Sequence, residues 1–228
     1  MRAVAAMVRA LRSAAPELQL TPGAEDGLTG ERRTLYVARH GVTQANLDGI
    51  NEGLEAEPLI EAGREQARAL ARRVAGLGLT EVWTSPLARA RQTAEIVAAA
   101  HGLPLHVEPD LRELDPGPWQ GLTQEQMAER DPEAFAAWQA DPAAFRLPGR
   151  ETLEQVRARA VAALERIRAR DGLALAVTHT VPIRVARVHY AGEELNWFAT
   201  FLPDHCVLME LAPEGEGSIL RAADPDEG

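Results

Sequence analysis

The sequence contains no lysine, and all 24 of its basic residues are arginine. This absence excludes mechanisms that need a lysine amine, such as a P-loop nucleotide site or a Schiff base. The 34 acidic residues outnumber the basic ones, and the formal net charge is -10. Because nucleic acids and anionic membranes attract positively charged surfaces, neither is expected as a partner. Any site for an anion must therefore be made locally positive against an acidic background.

Cysteine is almost as scarce, since Cys206 is the only one. It cannot form an intrachain disulfide, and no arginine follows six residues later, as a thiolate phosphatase loop requires. The chain also has no HExxH motif, no cluster of cysteine and histidine, and no GxSxG motif. No apolar run approaches the length of a membrane span. We therefore predict a cytoplasmic protein that uses no metal and no other cofactor.

The first 33 residues differ in composition from the rest of the chain. They begin rich in arginine and poor in acids, as a targeting peptide can, but their longest apolar run, Ala3–Val8, is too short for a signal-peptide core. The interpretation we favour is a short exposed helix or frayed tail, followed by a linker from Thr21 onwards. The predicted division is an N-terminal extension and linker (1–33), one globular domain (34–212) and a C-terminal tail (213–228) that can hold a last edge strand before it becomes disordered.

Within the globular part, short apolar runs alternate with helical patterns. The runs Thr34–Ala38, Glu81–Thr84 and Leu173–Thr178 predict buried strands, and Cys206–Leu211 predicts a late strand at the sheet edge. Two helices are predicted to start at capping-box spacings, Thr123 with Gln126 and Thr152 with Gln155. The alternation predicts an α/β protein, a three-layer α/β/α sandwich around a mostly parallel sheet.

Each of the three buried strands runs directly into polar residues. Arg39 and His40 follow the first, Ser85 and then Arg89 follow the second, and His179 follows the third. Ligands bind at the carboxyl ends of strands in open α/β sheets, so the fold could bring these residues together. Two guanidinium groups and two imidazoles suit an oxyanion, most simply phosphate.

Such a pocket is suited to phosphoryl transfer. A neutral histidine can attack phosphorus and carry the phosphoryl group, and the arginines stabilise the charge on its oxygens. A leaving alkoxide then needs a proton, for which Glu113 and Asp115 are both candidates. The other histidines, His101, His106, His189 and His205, have no predicted part in this chemistry.

Four segments resemble the histidine phosphatase superfamily, also called the phosphoglycerate mutase-like family. The family's RHGxT signature is similar to Arg39-His40-Gly41-Val42-Thr43, which Asn46 follows. Segments that resemble those carrying the family's second arginine, its acid loop and its second histidine are SPLARARQTA (Ser85–Ala94), LRELDPGPWQGLT (Leu111–Thr123) and VTHTVPIR (Val177–Arg184). The resemblance spans roughly Thr34 to Leu211 in the same order, and it implies a phosphoglycerate mutase-like fold.

The resemblance also implies roles for single residues. His40 would be the nucleophile and Glu113 the proton donor. The residues that would bind the phosphoryl group are Arg39, Arg89, His179, Asn46 and, as a lesser contact, Thr43. Thr180 stands where glycine is common in the family, so the backbone approach to the phosphate would be tighter. The family needs no metal.

These observations predict a hydrolase that acts on a small phosphorylated metabolite, as a monomer or a homodimer. The alternative is a phosphoglycerate mutase, but mutase relatives carry a longer basic insert after the acid loop. Here Leu122–Pro148 is short, and its only basic residues are Arg130 and Arg146. A non-catalytic phosphate-binding regulatory domain is a third hypothesis, although no pocket residue is lost. Arg146 and Arg150 could meet an anionic tail of the substrate.

Overall fold

The computed structural model describes residues 33–214 and 217–222. Residues 1–32 of the predicted N-terminal extension and residues 223–228 of the predicted C-terminal tail lie outside the described residues. The described strands form one six-stranded sheet in the order β3-β2-β4-β1-β5-β6. Their bounds are β1 Leu35–Arg39, β2 Glu81–Thr84, β3 Leu105–Val107, β4 Ala174–Thr178, β5 Leu208–Glu214 and β6 Gly217–Ala222. Strands β3, β2, β4 and β1 pair in parallel, and β5 pairs antiparallel with both β1 and β6, so the predicted mostly parallel sheet is confirmed.

The late strand is not at the sheet edge, and that expectation was wrong. β5 pairs with β1 on one side and with β6 on the other. Leu208, Met209 and Leu211 on β5 are all buried, as expected for a strand with neighbours on both sides. A sequence pattern reports how apolar a strand is, but it does not show which later segment folds back to cover its edge.

Helices cover both faces of the sheet. The described α-helices are α1 Gln44–Leu47, α2 Glu61–Arg73, α3 Ala88–His101, α4 Gln124–Arg130, α5 Pro132–Ala140, α6 Leu153–Arg168 and α7 Thr180–Tyr190. Alternate residues of β4 belong to the cores on opposite faces of the sheet, because neighbouring side chains of a strand point to opposite faces. Ala176 packs with α6 and α7, and Val177 packs with α2 and α3. The predicted three-layer sandwich is therefore confirmed. No described helix is both long and apolar enough for a membrane span.

Both predicted capping boxes are present. Thr123 and Gln126 start α4, and Thr152 and Gln155 start α6, each pair exchanging side-chain and backbone hydrogen bonds. A third box joins Thr43 and Asn46 at the start of α1. The sequence analysis assigned both residues of this last box to ligand binding. Their side chains therefore also cap the start of α1.

Candidate active site

The predicted site residues lie at adjacent strand ends. β4 lies between β1 and β2, and its end is hydrogen-bonded to both neighbours. The backbone N–H of His40 donates to Thr178 O at 3.0 Å, and that of Ser85 donates to Val177 O at 3.0 Å. Residues from three distant parts of the sequence thereby meet at the carboxyl ends of the central strands, as the strand endings predicted.

The geometry around His40 sets its tautomer. Nδ1 lies 2.7 Å from the carbonyl oxygen of Gly41. Since a carbonyl only accepts, Nδ1 must carry the hydrogen, and Nε2 therefore has the free lone pair. Glycine at position 41 lets the backbone after His40 pack against Gly63, because a Cβ there would lie 2.4 Å from the carbonyl oxygen of Gly63.

The same surroundings keep His40 uncharged. The residue is 2% exposed. Burial is the main reason that its pKa lies well below 6.5, and the charges of Arg89 and Arg39 lower the pKa further. A neutral imidazole with an unprotonated Nε2 is the state that a nucleophile requires.

His179 lies directly beside His40, with the two ring centroids 5.0 Å apart. Its Nε2 is 2.7 Å from Ser85 Oγ, and that oxygen accepts a hydrogen bond from the backbone N–H of Leu87. The Ser85 hydroxyl can then donate to Nε2, which leaves Nδ1 as the protonated nitrogen. Nδ1 is buried and has no hydrogen-bond partner among the described residues. Burial, followed by the charge of Arg89, holds the pKa of His179 well below 6.5.

The two predicted arginines are anchored through part of their guanidinium groups. The terminal nitrogens of Arg89 donate to Gly53 O at 2.8 Å and Glu55 O at 3.0 Å. Arg39 donates to Pro203 O at 2.8 Å. In both side chains Nε is buried and has no hydrogen-bond partner within the described part of the chain. The anchoring contacts therefore orient the two arginines without using all of their donors.

The structure adds Glu52, which the sequence analysis missed. Its carboxylate accepts hydrogen bonds from Thr43 Oγ1 and Asn46 Nδ2, both at 2.7 Å, and lies 3.6 Å from Arg89 Nε. Thr43 and Asn46 thus contact Glu52 rather than pointing freely into the site. Burial raises the pKa of Glu52, and Arg89 opposes this effect. No motif marks Glu52 in the sequence, and its charged partner, Arg89, comes from a distant segment.

The two candidate proton donors in the acid loop, Glu113 and Asp115, make different contacts. Glu113 Oε1 accepts from the backbone N–H of Leu114 at 2.7 Å and of Val181 at 3.2 Å, the latter in the first turn of α7. Asp115 instead accepts from the backbone N–H of Gly117 at 2.9 Å and so closes a local turn. Arg159 holds the loop by donating to Glu113 O at 3.0 Å. Only Glu113 of the two carboxylates lines the cavity.

Most of the predicted site residues line one cavity. Its lining consists of Arg39, His40, Asn46, Ile50, Asn51, Glu52, Gly53, Arg89, Glu113, Leu114, Thr180 and Val181. His179 and Thr43 are not part of this lining; His179 packs beside the ring of His40, and Thr43 contacts Glu52. Within residues 33–214 and 217–222, no group of three or more histidine, cysteine or acidic side chains is arranged to hold a metal ion.

Comparison with known proteins identifies the family. Residues 35–224 match the sequence model of the "Histidine phosphatase superfamily (branch 1)". The chain belongs to this superfamily. Phosphoserine phosphatase 1 of Hydrogenobacter thermophilus is 33% identical to this histidine phosphatase over 188 residues, which are 82% of this chain and 89% of that protein. The predicted family and phosphatase class are confirmed.

Two further relatives cover different shares of the chain. The adenosylcobalamin/alpha-ribazole phosphatase of Escherichia coli is 36% identical over 104 residues, spanning 46% of this chain and about half (51%) of its own length. The solved structure of Bacillus stearothermophilus YhfR covers 84% of this chain and 95% of its own, with a TM-score of 0.76 and 28% identity. The predicted phosphoglycerate mutase-like fold is confirmed by such structural neighbours.

A loop near the C-terminus of this histidine phosphatase contacts the same strand end. His205 Nδ1 lies 3.1 Å from His40 O, to which it must donate, and the two rings are 5.6 Å apart. The backbone N–H of Cys206 donates to Arg39 O at 3.0 Å. Cys206 has a φ of 54°, a left-handed conformation that non-glycine residues rarely adopt. His205 was not singled out from the sequence, because it follows no predicted buried strand and lies in none of the family motifs.

The two arginines that could meet an anionic tail of the substrate make contacts outside the cavity. Arg146 donates to the backbone carbonyls of Ala143 and Phe145, and Arg150 stacks on Trp138 with its guanidinium carbon 4.2 Å from the ring centroid. Neither lines the cavity. In this structure both arginines are held by contacts with the segment that follows the acid loop, and a contact with an anionic tail stays a prediction.

Proposed function

We propose that this histidine phosphatase hydrolyses a phosphomonoester of a small metabolite through a phosphohistidine on His40. One observation carries the proposal: three buried nitrogens, Arg39 Nε, Arg89 Nε and His179 Nδ1, have no hydrogen-bond partner in the described residues. Buried donors are normally paired, since leaving one unpaired costs free energy. The oxygens of a phosphoryl group would supply acceptors for these donors, beside the lone pair of His40.

The names of the relatives support the same reaction class. One is a phosphoserine phosphatase and another an alpha-ribazole phosphatase, and both names describe hydrolysis of a phosphate ester of a small molecule. The first covers most of both chains. We infer that this chain also acts on a small phosphorylated metabolite.

In the first step, Nε2 of His40 attacks phosphorus as the bond to the ester oxygen breaks. Arg39 and Arg89 stabilise the negative charge on the oxygens of the transferring group. Glu113 in its protonated form donates to the leaving oxygen, so the alcohol departs uncharged and Glu113 becomes a carboxylate.

In the second step, water attacks the phosphohistidine. The Glu113 carboxylate takes a proton from the water as the new P–O bond forms and the P–Nε2 bond breaks. Inorganic phosphate leaves, His40 regains its lone pair at Nε2, and Glu113 is protonated again. The Gly41 carbonyl oxygen, which accepts from Nδ1, stabilises the positive charge on the ring of the intermediate.

The surroundings of the cavity support hydrolysis over the mutase alternative. The two basic residues of Leu122–Pro148 are both turned to backbone carbonyls, Arg130 to Pro118 O and Arg146 to Ala143 O. Neither lines the cavity. No basic insert therefore grips the acid group of a phosphoglycerate, which the transfer back to a bound product would need.

The test is phosphorylation and turnover of His40→Ala. We expect wild-type protein to hydrolyse p-nitrophenyl phosphate in excess EDTA and to acquire an acid-labile radioactive label from a ³²P-phosphoester within one turnover. His40→Ala should lose both. His106→Asn, a substitution of a half-exposed histidine on β3, is the control and should retain both. Wild-type turnover by His40→Ala, or strict dependence on an added divalent metal, would show that the scheme is wrong.

A further inference from the structure

We propose that Arg184 binds a carboxylate on the alcohol part of the substrate, so that the enzyme prefers phosphomonoesters of small hydroxy acids. The inference rests on the proposed function and adds a substrate class to it. The observation behind it is a guanidinium group that stands next to the cavity and whose two terminal nitrogens have no hydrogen-bond partner among the described residues.

Arg184 lies on the face of α7 that borders the cavity. Thr180 and Val181, in the first turn of this helix, line the cavity. Arg184 follows them about one turn later, and residues at that spacing share one face of a helix. A long side chain on a helix lies over the turn before its own Cα, which here is the turn of Thr180 and Val181. The charges that act on Arg184 are those of Glu113 and Arg39, both of which line the cavity.

These neighbours place Arg184 on the alcohol side of the site. In the proposed reaction the phosphoryl group meets His40 and the two arginines of the strand ends, whereas Glu113 meets the ester oxygen. The carboxylate of Glu113 accepts from the backbone N–H of Val181 at 3.2 Å. The first turn of α7 therefore lies next to the ester oxygen, and a group attached a few bonds beyond that oxygen can extend toward Arg184.

Contacts with Phe198 hold the guanidinium of Arg184 and leave one edge of it free. Nε donates to Phe198 O at 2.6 Å, and the guanidinium carbon lies 4.3 Å from the centroid of the Phe198 ring. Nη1 and Nη2 donate to no acceptor in the described part of the chain, and neither is a buried atom, so solvent reaches them. Burial lowers the pKa of Arg184 to about 10, so the group stays charged at neutral pH. The paired N–H donors of the free edge match the two oxygens of a carboxylate.

Binding of a carboxylate in this way should act mainly on KM. The carboxylate takes no part in bond breaking, so its contact with Arg184 is the same in the bound substrate and in the transition state. Loss of such a contact raises KM and changes kcat little. Because Arg184 belongs to α7, the contact needs no basic insert within Leu122–Pro148.

The experiment compares matched esters. O-Phosphoserine differs from phosphoethanolamine only by a carboxylate, and 3-phosphoglycerate carries a carboxylate where glycerol 3-phosphate has a hydroxymethyl group. For wild type we expect kcat/KM to favour the carboxylate ester of each pair by about tenfold or more. Arg184→Gln should lower each ratio by about tenfold, mainly through KM. Arg184→Lys keeps the charge without the planar fork and should give intermediate ratios.

The control is Arg187→Gln. Arg187 lies one turn further along α7 and stacks on the Phe201 ring at 5.1 Å, much as Arg184 stacks on Phe198. Its replacement should keep the wild-type ratios. A purely structural effect of Arg184→Gln would slow both esters of a pair equally and leave their ratio unchanged. If Arg184→Gln does not fold, competition in wild type decides: 3-phosphoglycerate should inhibit turnover of p-nitrophenyl phosphate more strongly than glycerol 3-phosphate.

The possible results distinguish the substrate class from the proposed function. If wild type cleaves p-nitrophenyl phosphate but favours neither carboxylate ester, or binds both members of a pair equally in competition, the substrate class is wrong and the hydrolase stands. Unchanged ratios in folded Arg184→Gln, or an equal fall in Arg187→Gln, overturn the role of Arg184. If wild type cleaves no ester, the proposed function itself fails.

Discussion

Acidification is expected to destabilise this protein through the histidines of its own active site. His40 and His179 are almost completely buried, and the pKa of each lies well below 6.5 in the folded state. In the unfolded chain the same side chains titrate near about 6.5. Below that pH the unfolded state binds more protons than the folded state, so stability falls as the pH falls.

The magnitude follows from the number of neutral buried histidines. Each one that stays uncharged costs up to about 1.4 kcal/mol of unfolding free energy per pH unit below about 6.5. His40 and His179 together cost up to about 2.7 kcal/mol per pH unit, a large part of a typical total of about 5–15 kcal/mol. His205, whose pKa burial lowers to about 4, adds to the same slope. Glu52 acts in the opposite direction at lower pH because its pKa is raised above 4.5. The slope should therefore be measured above about pH 5.5.

Urea unfolding at several pH values between 8 and 5.5 measures this slope. His179→Asn and His40→Asn should each lower it by up to about 1.4 kcal/mol per pH unit, whatever they do to stability at pH 8. His106→Asn replaces a histidine whose side chain is 39% exposed and is the control. A wild-type unfolding free energy that stays constant from pH 7 to 5.5, or an undiminished slope in His179→Asn, would refute the reasoning.

Three further predictions concern the mechanism and the chain ends. Glu113→Gln should slow transfer from an alkyl phosphate by about 10²–10⁴-fold in single-turnover experiments but slow transfer from p-nitrophenyl phosphate far less, because p-nitrophenolate leaves without a proton. Asp115→Asn should show no such dependence, and the reverse pattern would identify Asp115 as the acid. His205→Ala removes the donor to His40 O and should slow phosphorylation of His40 by up to about tenfold, with KM little changed. His205→Asn, whose amide can donate instead, should restore the rate; equal rates in both variants would rule out this positioning contact. Deleting residues 1–32 should leave phosphatase activity intact, since the cavity-lining residues in the described part of the chain all lie between Arg39 and Val181. Loss of activity in that truncated protein would show that the N-terminal residues contribute to the site.

Features that depend on neighbouring residues were predictable from the sequence. The buried strand runs, the capping boxes at Thr123 and Thr152, and the polar residues after β1, β2 and β4 are all local patterns. Helices and strands impose fixed periods on apolar residues, and helix starts need nearby side-chain acceptors. The family motifs around His40 are local in the same sense, and through them the fold was predicted as well.

The tertiary structure alone decided which distant groups meet. The order of strands places His205 against His40 and Glu52 against Arg89. It also turns Glu113 towards the cavity and Asp115 into a turn. Such contacts join segments tens to more than a hundred positions apart, and they arise only when the chain packs. Burial then makes the histidines neutral and raises the pKa of Glu52. No local pattern in the sequence records how deeply a side chain will be buried.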